Sequence, residues 1–250
     1  MLRIIGATDK GMRRYVNEDR FAGEVFSPEL AYGVVCDGMG GENAGGVASA
    51  LACEEIRRML ESSCRPGMEP RSVYMILESA VATANAIVYD KAAQDLEALR
   101  GMGTTVCLAV VSGGVLYLAN VGDSRGYLLR EGELRQLTTD HTLAQLLFDR
   151  GEISQEELRR HPERNKLTRA VGVAQTVEAD YTSCRLEPGD ILLLCSDGLY
   201  NMLDPVTLRE CLRQSAAQDS GRCLMDAANS RGGKDNITAV IICCEENENG

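Results

Sequence analysis

The chain has 250 residues, 44% of them apolar, with a formal net charge of −11; it is long enough for one large core, and its acidity disfavours polynucleotides and anionic membranes as partners. Its ten cysteines include no Cys-x-x-Cys and it has only two histidines, His141 and His161, so neither a zinc cluster nor a histidine-rich metal site is expected, and the thiols read as small core residues of a reducing compartment. The longest apolar runs, residues 191–195 and 239–244, are strand-sized, and the first residues turn polar by Thr8; a cytoplasmic protein with no membrane span and no secretory signal is expected.

Residues 2–7 read as a short strand. It runs into the loop Thr8-Asp9-Lys10-Gly11-Met12-Arg13-Arg14-Tyr15-Val16-Asn17-Glu18-Asp19, dense in charge and turn formers. Residues 21–26 resume a strand, Ser27-Pro28 turns, and residues 31–36 form a buried strand that stops at Asp37-Gly38-Met39-Gly40-Gly41. Taken alone, an Asp-Gly pair after a strand is most simply a tight turn. If the two strands pair as an antiparallel hairpin, Glu18, Asp19 and Asp37 share one end of it.

Apolar residues at three- and four-residue steps predict two core-facing helices over residues 47–60 and 73–99. From Thr104 the period becomes that of strands. Residues 104–111, 115–120, 126–130 and 134–137 form an antiparallel meander, with Asp123 on the turn Gly122-Asp123-Ser124. Short helical segments open at Asp140-His141-Thr142 and at Ser154, where Ser154 and Glu157 match a capping box and Ile153 with Leu158 suit a hydrophobic staple. Residues 150–168 are rich in Arg and Glu and read as an exposed flap. A strand over 182–186 and a buried one over 191–195 follow, the second ending at Ser196-Asp197-Gly198. Asp204-Pro205 caps one helix, residues 221–230 form another, and Asp235 stands before the last strand, 237–244.

Glu18, Asp19, Asp37, Asp197 and Asp235 thus fall at the edges of apolar strands that must share a core. Carboxylates gathered at one end of a sheet repel one another, and bound cations remove that cost. Oxygen ligands without histidine or cysteine suit Mg²⁺ or Mn²⁺ better than Zn²⁺. Two such ions bridged by a carboxylate would hold and acidify a water and stabilise an in-line displacement at phosphorus. A guanidinium to orient the phosphate is available from Arg14, with Arg13 the competing neighbour.

Eight segments, in order, carry a resemblance to the metal-dependent Ser/Thr protein phosphatases of type 2C: Thr8-Asp9-x-Gly11-x-x-Arg14-x-x-Asn17-Glu18-Asp19, Val35-Cys36-Asp37-Gly38-Met39-Gly40-Gly41, Gly103-Thr104-Thr105, Asn120-Val121-Gly122-Asp123-Ser124-Arg125, Leu137-Thr138-x-Asp140-His141, Leu167-Thr168-Arg169-Ala170-x-Gly172, Ser196-Asp197-Gly198-Leu199 and Lys234-Asp235-Asn236-Ile237-Thr238. The resemblance implies an α+β fold, a four-layer α-β-β-α sandwich of two packed antiparallel sheets flanked by helix pairs, with residues 1–244 as a single catalytic domain and 245–250 as a disordered acidic tail. It implies that Asp37 bridges two Mn²⁺ or Mg²⁺ ions, that Glu18 and the Gly38 carbonyl complete one and Asp197 with Asp235 the other, and that Asp123 with Asp197 can hold a third. Asp19 would orient the metal-bound water, and Arg14 rather than Arg13 would hold the phosphate. The implied activity is hydrolysis of phosphoserine and phosphothreonine by direct attack of a metal-bridging water or hydroxide, without a phosphoenzyme. Implied partners are phosphorylated proteins, the targets of a Ser/Thr kinase and the kinase itself. Met39 stands where eukaryotic members carry a histidine proposed as general acid, which leaves the acid unassigned. The alternative is a pseudophosphatase scaffold, a class that usually lacks a metal carboxylate or the phosphate-binding arginine; this chain keeps them all.

Overall fold

The computed structural model describes residues 1–40, 44–94, 99, 101–213 and 220–245. In chain order they form β1 (Leu2–Asp9), β2 (Arg20–Ser27), β3 (Leu30–Cys36), the two-residue β4 (Gly38–Met39), and the long helices α1 (Ala44–Ser63) and α2 (Pro70–Gln94). There follow β5 (Gly103–Thr104), β6 (Val106–Ser112), β7 (Val115–Val121), β8 (Arg125–Arg130), β9 (Glu133–Gln136), α3 (Leu143–Asp149) and α4 (Gln155–Arg160). The last elements are β10 (Asp180–Arg185), β11 (Ile191–Cys195), α5 (Asp197–Tyr200), α6 (Pro205–Arg213), α7 (Ser220–Ser230) and β12 (Ile237–Cys244).

Two antiparallel five-stranded sheets result, ordered β10-β7-β6-β3-β2 and β1-β12-β11-β8-β9, and β4 pairs separately with β5. Strand alternation divides the core into layers. Tyr32, Val34 and Cys36 of β3 with Leu108 and Val110 of β6 face Ile56 and Leu60 of α1 and Leu77 and Val81 of α2. The intervening residues Val35, Cys107 and Ala109 turn the other way and meet Leu192, Leu194, Val240 and Ile242 of the second sheet. That sheet's outer face, including Leu193 and Ile241, packs on Leu208 and Leu212 of α6 and Leu224 of α7. The expected α-β-β-α sandwich is the observed fold.

Two details depart from the sequence reading, and a third lies in part outside the described residues. The strand expected over 104–111 is broken at Thr105 into β5 and β6, because the Thr105 backbone N–H donates to the Asp37 carbonyl instead of a ladder partner (2.8 Å). Helix α2 is described to Gln94, and residues 95–98 of the longer helix expected lie outside the described residues. That helix is also long and apolar enough to cross a membrane by length and composition (mean hydropathy 1.3), where only strand-sized apolar runs were read; its Val73, Leu77, Ala80, Val81, Ala84 and Val88 are buried in the domain's own core. In the expected flap, residues 150–168, none is buried, and α4 opens with the Ser154–Glu157 capping box. Of the expected tail, Glu245 donates its backbone N–H to the Met1 carbonyl (2.8 Å), and residues 246–250 lie outside the described residues.

Candidate active site

The registers bring several strand ends to one edge of the sandwich. Arg20 of β2 pairs with Cys36 of β3, Val106 with Val121, and Cys195 with both Arg125 and Ala239. Residues just outside those pairs therefore converge: Glu18 before β2, Asp37 after β3, Asp123 between β7 and β8, Asp197 after β11 and Asp235 before β12. All five, with Gly38 and Arg14, line a single pocket of about 310 Å³. Arg13 does not. Asp19 lies beneath the pocket, 2% exposed, with Oδ2 accepting from the Ser196 hydroxyl at 2.7 Å.

The backbone around these groups is fixed by residues of four other segments. Asp37 donates its N–H to Thr105 Oγ1 (2.9 Å), and its carbonyl accepts from the Thr104 hydroxyl (2.9 Å) as well as from the Thr105 N–H. Asn236 stitches the β1–β2 loop to β12, donating to the carbonyls of Lys10 and Val16 and accepting from the Glu18 N–H, each at 2.9 Å. The Asp123 carbonyl accepts from the Tyr200 hydroxyl (3.0 Å), and the Arg125 guanidinium, paired with Asp140 at 2.6 Å, lies 3.6 Å over that tyrosine's ring. His141, read only as a helix-start residue, is buried and accepts from the Gly122 N–H through Nδ1 (3.1 Å), bracing the turn that carries Asp123.

Gly38 departs from the turn reading of the Asp-Gly pair: it sits in the extended β4. Glycine is required there by space, since a Cβ would collide with the Gly45 carbonyl of α1. Asp197 instead opens α5, whose N-cap Ser196 makes no side-chain cap; the Ser196 hydroxyl is committed to Asp19 and accepts from the Thr238 N–H (3.0 Å).

Burial and crowding push the acids upward. Asp37 is held well above the usual carboxylate range by burial first, then by Asp19, Asp197, Asp123 and Asp235. Asp197 is pushed up to about 8 by burial and by Asp123 and Asp235, Asp123 to about 7 by burial and Asp140, and Asp19 to about 6 chiefly by burial. Arg14, hydrogen-bonded to Asp235 Oδ2 at 2.7 Å, is raised by that contact. Among the described residues no three His, Cys, Asp or Glu side chains are posed around one point as a ready cage. Their oxygens have partners of their own: Glu18 Oε1 accepts from the Gly46 N–H (3.1 Å), Asp197 Oδ2 from the Asn201 amide (3.0 Å), and Asp235 pairs with Arg14. An all-oxygen donor set under mutual repulsion, with the buried Asp19 Oδ1 lacking a hydrogen-bond partner, fits hard divalent cations.

Thr105, Asn165 and Leu167 also line the pocket and were assigned no role in the sequence reading. Thr105 sat inside a quoted segment. Leu167 opens another of those segments, and Asn165 comes from the flap, where nothing in the local sequence shows which way it folds.

A family model described as Protein phosphatase 2C matches residues 12–237. The chain is 38% identical to the serine/threonine phosphatase stp of Listeria welshimeri, over 94% of this chain and 93% of that protein. It is 36% identical to the serine/threonine protein phosphatase PstP of Mycobacterium tuberculosis, over 96% of this chain and 45% of that longer protein. Among solved structures, that of Stp1 from Staphylococcus aureus superposes with a TM-score of 0.90 at 33% identity, covering 98% of this chain and 96% of that one. The PstP catalytic domain in complex with two manganese ions gives 0.84 at 34% identity, covering 98% and 99%.

Proposed function

The chain belongs to the protein phosphatase 2C family, and from that premise we propose that it hydrolyses phosphoserine and phosphothreonine in proteins with Mn²⁺ or Mg²⁺ as cofactor, by direct attack of water on phosphorus. The observation that carries the reading is the convergence of Glu18, Asp37, Asp123, Asp197 and Asp235 with Arg14 on one pocket.

Asp37, at the centre of the acidic group, would span two ions, Glu18 and the Gly38 carbonyl would serve one, Asp197 and Asp235 the other, and Asp123 with Asp197 a third. Bound there, the ions would acidify water and offset the charge that builds on phosphorus. Arg14 is half exposed (51%) at the pocket rim, so its guanidinium can leave Asp235 and take two phosphate oxygens, fixing the phosphorus in line for attack. Asp19, held by Ser196 beneath Asp37, orients the attacking water through its remaining oxygen. Met39 has no proton to give the leaving oxygen. The scaffold alternative is not favoured, since the chain keeps every expected acid and Arg14.

Residues 1–244 act together as one catalytic domain, a reading supported by apolar clusters that share the same pair of sheets. Its substrates are phosphorylated proteins, targets of a Ser/Thr kinase and the kinase among them. Thiols buried in the core strands, Cys36, Cys107 and Cys195, suit the cytoplasm as its place of action. The test is phosphate release from a phosphothreonine peptide with Mn²⁺ and with Mg²⁺. Turnover that requires the metal supports the proposal, and no turnover with either overturns it.

A further inference from the structure

A second cavity, of about 680 Å³, opens beside the active-site pocket, and Asn165 lines both, so the two adjoin. It lies under the flap, with Phe148 of α3 and Leu158 of α4 in its apolar lining. Its charge is distinctive in a chain of net charge −11. Residues 150–169 carry six Lys and Arg against four Glu, and all four acids are committed. Glu152 faces Arg150 (3.9 Å), Glu156 pairs with Arg160 (3.2 Å), Glu163 with Lys166 (2.9 Å), and Glu157 closes the capping box. Arg169 pairs with Asp180 at 2.7 Å. The two cations left over, Arg159 and Arg164, have no acidic partner among the described residues, and both line the cavity. The one acid that lines the cavity among the described residues, Asp140, is neutralised by Arg125 through two nitrogens (2.8 and 2.6 Å).

We propose that this cavity receives the polypeptide next to the phosphoresidue, and that Arg159 and Arg164 there select substrates carrying an anionic side chain close to the scissile phosphate. The proposal rests on the phosphatase reading above and adds the substrate class. A surplus of unpaired guanidinium beside an otherwise acidic pocket attracts carboxylate or phosphate and repels lysine-rich sequence. The anion is a carboxylate of Asp or Glu or the phosphate of a second phosphoresidue, and the same geometry accepts either. Each such pair forms in partly exposed surroundings, so the selection acts on KM and weakens with salt.

The test compares phosphothreonine peptides that differ only in their flanks: uncharged, aspartate on both sides, a phosphonate analogue of a second phosphoresidue, and lysine on both sides. For the wild-type protein with Mn²⁺ the aspartate or phosphonate flank lowers KM by about 3- to 20-fold relative to the uncharged peptide, and the advantage shrinks as salt is raised. In Arg159→Gln/Arg164→Gln, whose folding is checked by thermal melting, the ratio of kcat/KM for anionic over uncharged flanks falls to about one. In Arg159→Glu/Arg164→Glu the order reverses toward lysine. Anisotropy of a fluorescein-labelled peptide with a non-hydrolysable phosphonate analogue of phosphothreonine and aspartate flanks gives a readout without turnover, and its affinity falls in step. The proposal is overturned if wild type shows no preference for anionic flanks, or if the preference survives both double variants. Absence of turnover on every peptide overturns the phosphatase reading itself, which is a separate result.

Discussion

Thr105 gives the sharpest test of how the fold positions Asp37. Its side chain is 1% exposed; the hydroxyl accepts from the Asp37 N–H at 2.9 Å and shares a hydrogen bond with Ser124 Oγ at 2.7 Å. Thr105→Val keeps the shape and removes the hydroxyl, leaving two polar groups unpaired where water does not reach. Each orphan costs about 1–3 kcal/mol, so the loss is roughly 2–6 kcal/mol against a total stability of about 5–15 kcal/mol. Two hydrogen bonds to the Asp37 carbonyl remain, so the loop persists and its carboxylate loosens. Loss of a supporting group of this kind weakens metal affinity by about 10- to 100-fold. The assay is thermal unfolding across a Mn²⁺ titration, where each tenfold loss in affinity removes about 1.4 kcal/mol of metal-dependent stabilisation. Thr105→Ser keeps the hydroxyl and sacrifices a methyl, about 1 kcal/mol, and its Mn²⁺ response should match wild type. A valine variant that binds Mn²⁺ as wild type does, or a serine variant that fails equally, refutes the reasoning.

Three further outcomes follow from the same geometry. Asp19, Asp123 and Asp197 are raised in the folded state to about 6, 7 and 8. The folded protein therefore holds protons that the unfolded chain has released, and metal-free stability falls as pH rises from the ordinary carboxylate range through about 8. Melting in EDTA across that range checks the slope; Asp197→Asn flattens it, and a slope of the opposite sign would exclude the crowding described. Asp37→Asn and Asp235→Asn each lower turnover by about 100-fold or more, and Asp37→Asn raises metal-free stability at pH 8 by removing a carboxyl whose ionisation folding opposes; full activity in either would remove that residue from the metal shell. Asn85 of α2, 2% exposed, donates to the carbonyls of Ala174 (3.0 Å) and Gln175 (3.1 Å) and accepts from the Gly172 N–H (2.8 Å). Asn85→Ala should cost about 3 kcal/mol or more in urea unfolding, and a change below about 0.5 kcal/mol would show that the three bonds carry little.

The acids were legible because each stands where an apolar run stops, and strand periodicity predicts such stops well. The pairing expected for residues 21–26 and 31–36 is that of β2 and β3, and it brings Glu18, Asp19 and Asp37 to one edge as anticipated. What could not be read depends on partners distant in sequence. Gly38 looks like a turn glycine until α1 is packed against it. Asn85 looks like any polar residue in a helix, and its value lies in a segment nearly ninety residues on. His141 was taken for a helix start because its partner, the Gly122 N–H, belongs to another strand's end. The flap's composition announced exposure correctly, but which of its arginines remain unpaired follows only from where each acid goes.

The position of β12 bears on how the protein comes into being. It lies between β1 and β11, so the sheet cannot close around its middle until the last strand has been made, and the same strand carries in Asp235 and the Asn236 that holds the Glu18 loop. A chain emerging from the ribosome N-terminus first has β1 exposed along its length for want of a partner more than two hundred residues away, a long-range closure that slows folding. Hydrolytic competence therefore waits for β12. A chain that stops short of β12 lacks the strand that closes the sheet and brings in Asp235, so a nonsense mutation ahead of it should yield an aggregation-prone fragment rather than a weakened enzyme.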